Sequence, residues 1–210
     1  MAVSGCAAAA DAGMTAPPVP TPSNPAKPPA SPTSQSPVRQ QLAELAVAPR
    51  GSMQGYSRER FPHWTQQGGH CDTRETVLKR AGQGVTTEKN CKVRTGTWTS
   101  PYDGGTWTAP SDVDVDHMVP LGQAWVSGAR SWTTERRREF ANDLVRPQLF
   151  AVTDNVNQEK SDKAPDQWKP PSVAFWCTYA TDWVTVKHYY GLTVTDAEKA
   201  ALASMLDRCG

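Results

Sequence analysis

The stretch Asp112-Val113-Asp114-Val115-Asp116-His117-Met118-Val119-Pro120-Leu121 decides how this chain is read, together with Gln148-Leu149-Phe150-Ala151-Val152-Thr153-Asp154-Asn155-Val156-Asn157-Gln158-Glu159-Lys160-Ser161-Asp162-Lys163 further on. Alternation over residues 113–119 predicts a strand ended by Pro120, with Val113, Val115 and His117 on one face and Asp114, Asp116 and Met118 on the other. Tandem carboxylates are poor strand formers, and metal coordination would give them a reason to be there. Residues 148–152 read as the second strand of a hairpin, and Asp154 is placed to cap a helix over 155–163. An acid beside a histidine, followed by an amide on a short helix, suits metal-assisted hydrolysis of a phosphodiester. That reaction needs a water, a group to take its proton, and a cation for the charge that develops. His117, with an ordinary pKa near ~6.5, suits the proton. Asp116 and His117 are adjacent, so they converge on one site only if the strand is irregular there.

Between the two halves, residues 122–146 predict two short helices separated near 131–134, with Arg136-Arg137-Arg138 on the second. Such a run is either a solvated helix face or an edge that contacts phosphate, with Arg136 and Arg138 as candidate substrate-binding residues. Upstream, residues 38–47 and 72–80 predict short helices, 91–99 a strand, and the aromatic and charged segment 56–64 an irregular covering piece. Downstream, Trp176, Tyr179, Ala180, Trp183, Val184 and Lys187 recur at three and four, which predicts a helix over 173–190 stopped by Gly191. Thr195-Asp196-Ala197-Glu198 is a capping box that opens a last helix.

Five cysteines divide into one and four. Cys6 lies in Val3-Ser4-Gly5-Cys6, which resembles a bacterial lipid-attachment box, although no basic and apolar leader precedes it; an ordinary small residue in a leader is the other reading. None of the remaining four forms a Cys-x-x-Cys pair, so bridges fit better than metal sites, and local geometry favours Cys71–Cys91 with Cys177–Cys209. At ~1.5 Å per residue, Cys177 lies ~20 Å back from the end of its helix and Cys209 ~21 Å beyond the start of the next, so both reach the same end of an antiparallel helical hairpin. Disulfides imply an oxidising, extracellular location.

Composition sets the limits. Residues 16–37 are largely Pro, Ser, Thr and Ala, which predicts a flexible tether, with 1–37 a leader and 38–210 the folded domain. The net charge of +1 excludes a globally basic nucleic-acid coat. No apolar run approaches the roughly 20 residues of a membrane span.

At these residues the chain resembles the HNH, or ββα-metal, endonuclease superfamily, in particular the bacterial extracellular HNH nucleases. The resemblance is carried by Asp116-His117-Met118-Val119-Pro120-Leu121, Phe140-Ala141-Asn142-Asp143 and Asn157-Gln158-Glu159-Lys160-Ser161-Asp162. It implies His117 as general base, Asp116 and Asn157 as ligands of one divalent metal ion, Mg²⁺ or Mn²⁺ first, and Gln148 at the position that orients the base, with Asn142 as its competitor. Lys160 becomes a candidate for the scissile phosphate, or the partner of a structural bond to Asp162, and Asp114 an outer carboxylate or a solvent-facing strand residue. The expected fold is α+β: a ββα core among further helices, closed by a helical hairpin. The expected function is endonucleolytic cleavage of DNA, with RNA as an alternative substrate, by a monomer of little sequence specificity, since no reading helix is visible. A binding module that kept the fold and lost activity through Gln148 is the competing expectation. Trp125, Trp132 and Trp168 are candidate base-stacking surfaces, while His63, His70 and His188 read as surface or packing residues.

Overall fold

The computed structural model describes residues 1–5 and 36–209; the proposed lipid site at Cys6 and most of the Pro-rich segment lie outside the described residues. The chain divides into two units, 1–34 and 35–210, and everything that follows belongs to the second. Its elements are α1 Pro37–Glu44, a hairpin of β1 Gln66–Gly68 and β2 Cys71–Asp72, α2 Thr73–Ala81, β3 Gln83–Thr87, β4 Val93–Thr99, β5 Thr106–Trp107, β6 Val113–His117, α3 Leu121–Val126, α4 Thr134–Ala141, β7 Leu149–Thr153, α5 Asp154–Lys160, α6 Trp176–Tyr190 and α7 Asp196–Leu206. The mixture is α+β. Among the described residues no helix is long and apolar enough to cross a membrane.

Three small antiparallel sheets, β1-β2, β3-β4-β5 and β6-β7, replace one large one. Each is built by a local device. Asp72 caps α2 by accepting from the Glu75 N–H at 2.8 Å, and the Cys71–Cys91 disulfide ties that start to the turn before β4. Trp98 of β4 fills the space under α2, fully buried, and its indole N–H donates to the Leu78 carbonyl at 2.8 Å. A Cβ at Gly82 or Gly96 would lie 2.5 or 2.7 Å from that indole, so both positions require glycine. Trp98, Val77, Leu78 and Val93 form a second core with the outer face of β6 and β7, namely Val113, Val115, Leu149 and Ala151.

The larger core gathers α1, α3, α4, α6 and α7. Pro37 opens α1 at a position where a missing N–H costs nothing, and Leu42 and Leu45 bury in this core. The α6–α7 hairpin forms as its pattern predicts: Gly191 adopts a left-handed φ of 66°, and the Thr195 hydroxyl accepts from the Glu198 N–H. Cys177 and Cys209 are joined at its far end. Between the two helices a buried Lys187–Glu198 ion pair, 2.6 Å long, also receives the Trp183 indole N–H. Residues 173–175, read from sequence as the first turn of α6, form a 3-10 turn instead.

Candidate active site

β6 and β7 pair without a bulge from Val113↔Thr153 to His117↔Leu149. No bulge lies at Asp116, so the two side chains leave on opposite faces; the strand instead ends at His117, the other way the pair could converge. Thr153, rather than Asp154, precedes the first turn of α5, which follows β7 directly and ends at Lys160 rather than Lys163. α5 lies against the acidic face, so Asn157 meets Asp114 and Lys160 meets Asp116.

On that face Lys160 is completely buried, and its ammonium donates to both oxygens of Asp116, at 3.0 and 2.7 Å, and to the His117 carbonyl at 2.8 Å. The Tyr102 hydroxyl donates to the same carboxylate at 2.5 Å. Burial raises the pKa of Asp116 and lowers that of Lys160, while their mutual attraction opposes both shifts. Lys160 is thus neither a phosphate contact nor a partner of Asp162: an ammonium with no exposed surface has no route to substrate. The Asn157 amide N–H donates to Asp114 at 2.9 Å, which turns Asp114 toward α5 rather than to solvent and leaves the amide oxygen of Asn157 without a protein partner among the described residues. Burial raises the pKa of Asp114.

His117, on the opposite face, is 4% exposed. Its Nε2 lies 2.9 Å from the Ala141 carbonyl. A carbonyl only accepts, so Nε2 carries the proton and Nδ1 keeps its lone pair, with no protein partner among the described residues. Burial pulls the imidazole pKa down to about 3, so the ring is neutral near pH 7. Trp64 stacks on the ring at 5.5 Å between centroids and 24° between planes. This tryptophan holds a left-handed φ of 56°, a conformation that an aromatic residue adopts only under constraint. Asn142 supplies that constraint: its amide accepts from the Thr65 N–H at 3.0 Å and donates to the Pro62 carbonyl at 2.7 Å, bracketing Trp64 from both sides.

The orienting role therefore falls to neither expected amide. The Gln148 side chain runs along the backbone of Val119, accepting its N–H at 3.2 Å and donating to its carbonyl at 3.0 Å. In that posture it prolongs the hairpin by one step and cannot also reach the imidazole. Asn142 acts one link away, through Trp64 and through the end of α4 that presents the Ala141 carbonyl.

Both faces open at the end of β6 onto a cleft of about 300 Å³ lined by Arg58, Asp116, His117, Asn157, Ser161 and Asp162, among others. Asp162 accepts from the Gly122 N–H at 3.1 Å. A Cβ at Gly122 would come 2.4 Å from that carboxylate, so the close approach of α3 depends on glycine. Arg136 and Arg138 do not line this cleft. Arg136 pairs with Glu139 and lies 4.6 Å over the Tyr190 ring, and Arg138 projects to solvent from α4. Arg137 between them is buried and donates to the Arg60 carbonyl at 2.8 Å. Trp125 and Trp168 are core residues at 4% and 7% exposure, which removes them as base-stacking surfaces. The residues that sequence reasoning missed are Arg58, Trp64 and the Ala141 carbonyl. Their signal was present as the aromatic and charged density of 56–64 and as Phe140-Ala141-Asn142-Asp143.

The family of GmrSD restriction endonucleases, C-terminal domain, matches residues 72–205. This chain belongs to that family. It is an HNH-type nuclease family, and the matched residues span β6, β7 and α5, with Asp116, His117 and Asn157 among them. An uncharacterized secreted protein of Arthroderma benhamiae is 56% identical over 192 residues, 91% of each chain. No solved structure matches. Tyr56, Arg58 and Trp64 precede the part that matches the GmrSD C-terminal domain, so a segment outside that frame covers His117.

Proposed function

We propose that this chain is an extracellular, divalent-cation-dependent endonuclease that hydrolyses DNA phosphodiesters, with RNA as a second substrate, little sequence specificity and a 5′ phosphate product. The observation that carries this reading is the placement of His117: its Nε2 faces the Ala141 carbonyl, its Nδ1 has no protein partner among the described residues, and it lines one polar cleft with Asp116 and Asn157. A neutral imidazole with one unoccupied nitrogen accepts a proton from water without first having to lose one. The similar secreted protein and the two disulfides support the extracellular location.

The donors around the cleft fit a hard, largely hydrated cation. They are oxygens, and the Asn157 amide oxygen has no protein partner among the described residues. Asn157 and Asp116 would hold Mg²⁺ or Mn²⁺, with Asp116 shared with Lys160. The bound cation would neutralise charge on the phosphoryl oxygens and the leaving 3′ oxygen. One observation favours the reading as a weakly active or inactive binding module: both oxygens of Asp116 already accept from Lys160.

Plasmid nicking with added Mg²⁺ or Mn²⁺, comparing wild type with His117→Ala, separates the two. Loss of a general base lowers the rate by roughly 10²–10⁴-fold. Cation-dependent cleavage that survives the substitution removes His117 from the mechanism. No cleavage with any cation, alongside retained DNA binding, supports the module.

A further inference from the structure

We infer that Arg58, carried on the covering segment ahead of the family-matched residues, is the group that grips the non-bridging oxygens of the scissile phosphate. The inference rests on the nuclease reading for the identity of the ligand, a phosphodiester, but its geometry stands on its own.

The segment is held firmly enough to present a side chain. Phe61 is fully buried and packs against Tyr56, Trp125 and Phe140 with ring centroids 6.1–6.4 Å apart. Arg137 donates to the Arg60 carbonyl, and Asn142 grips Pro62 and Thr65. A 3-10 turn over Arg58–Arg60, closed by the Phe61 N–H donating to the Arg58 carbonyl at 3.0 Å, sets the direction in which Arg58 leaves the backbone.

The guanidinium itself is oriented and largely unused. His63 Nδ1 lies 2.8 Å from the Phe61 carbonyl, so it carries the proton, and Nε2 is left to accept from Arg58 Nε at 3.3 Å. That bond uses the Nε–H and leaves the end-on edge of the guanidinium, formed by its two terminal amino groups. The two terminal amino groups have no protein partner among the described residues. The carboxylates nearby are otherwise engaged, Asp116 by Lys160 and Asp162 by the Gly122 N–H. Arg58 is the basic side chain among those lining the cleft. A planar fork of free N–H groups matches the two non-bridging oxygens of a phosphodiester, and a lysine cannot reproduce that bidentate fit.

The test compares wild type, Arg58→Ala and Arg58→Lys in two measurements. Binding of a short fluorescent duplex in excess chelator, where nothing is cut, is followed by anisotropy across a salt series. Loss of one phosphate contact reduces the slope of log K against log[salt] by about 0.9 in Arg58→Ala, while Arg58→Lys keeps the wild-type slope. In cation-dependent cleavage, Arg58→Ala lowers kcat/KM by roughly 10- to 100-fold, and Arg58→Lys recovers only part of it. A slope unchanged in Arg58→Ala overturns the assignment whether or not the wild type cleaves, and a lower melting temperature with that unchanged slope identifies Arg58 as a brace for His63. A slope reduced by about one supports the phosphate contact even if the wild type cuts nothing, so failure of the nuclease reading and failure of this one give different results.

Discussion

Replacing Lys160 by Met asks whether the ammonium serves the fold or the substrate. The side chain has no exposed surface, its Asp116 partner is 7% exposed, and the ammonium makes three hydrogen bonds of 2.7–3.0 Å. Methionine fills most of the volume but removes all three, leaving a buried carboxylate with Tyr102 as its donor and the His117 carbonyl without this one. Breaking a buried pair on one side costs about 3–5 kcal/mol, because an uncompensated charge stays behind. For a domain of this size each kcal/mol lowers the melting temperature by roughly 2–4 °C, so Lys160→Met should melt roughly 6–20 °C below wild type. The double variant Asp116→Asn/Lys160→Met removes the stranded charge as well and should regain at least about 1 kcal/mol over Lys160→Met alone. Thermal and urea unfolding of the four proteins in this cycle give the answer. If Lys160→Met unfolds within about 1 kcal/mol of wild type while nuclease activity disappears, the ammonium acts on substrate and the buried-pair reasoning is wrong.

Asn142→Asp keeps an acceptor for the Thr65 N–H but loses the donors to the Pro62 and Arg138 carbonyls; stability should fall by about 1–3 kcal/mol and amide exchange at residues 62–65 should accelerate, and unchanged exchange there would show that Trp64 is held by something else. Because burial places the His117 pKa at about 3, the acid limb of kcat/KM should lie below pH ~5, and a limb at the ordinary histidine value of ~6.5 would mean that the free enzyme carries a solvated base. Burial raises Asp182 to about 7, so its folded pKa exceeds its unfolded one and its contribution to stability, complete below pH ~4, is lost as pH rises through about 7. Asp182→Asn should therefore gain on wild type by a few kcal/mol at pH 8 and by nothing at pH 4, and equal stability of the two proteins at pH 8 would refute it.

The parts of the fold that could be read from residues are those where one rule acts alone. The α6–α7 hairpin repeats its apolar positions over four turns, ends on Gly191 and restarts at a capping box, so pattern and caps agree. β6 and β7 announce themselves by alternation, and the paired register keeps that alternation intact. By contrast β3 is exposed along nearly its whole length, so no hydrophobic period marks it. The β1-β2 hairpin turns on Gly68, Gly69 and His70 with positive φ, and its three- and two-residue strands are too short for a pattern to emerge.

The candidate site divides the same way, between chemistry that residue types declare and partners that only tertiary structure selects. Asp116, His117 and Asn157 are legible because acids in a strand and an amide at a fixed offset are costly without a use. Their pairing is not, because it depends on which face meets which neighbour. The regular pleat gives Asp116 to Lys160 and His117 to the end of α4, and the two meet only where the strand ends, at the cleft that both line. The Ala141 carbonyl that fixes the imidazole is a backbone group, which any residue at that position would supply, so no side-chain motif could reveal it. What the motif does encode is the next residue: Asn142 holds Trp64 in a left-handed conformation stacked over the His117 ring. A neutral imidazole buried to this depth cannot by itself attract a polyanion. In the proposed reading the attraction comes from a cation at the rim, and Arg58, whose terminal amino groups have no protein partner among the described residues, is the basic side chain lining the cleft there.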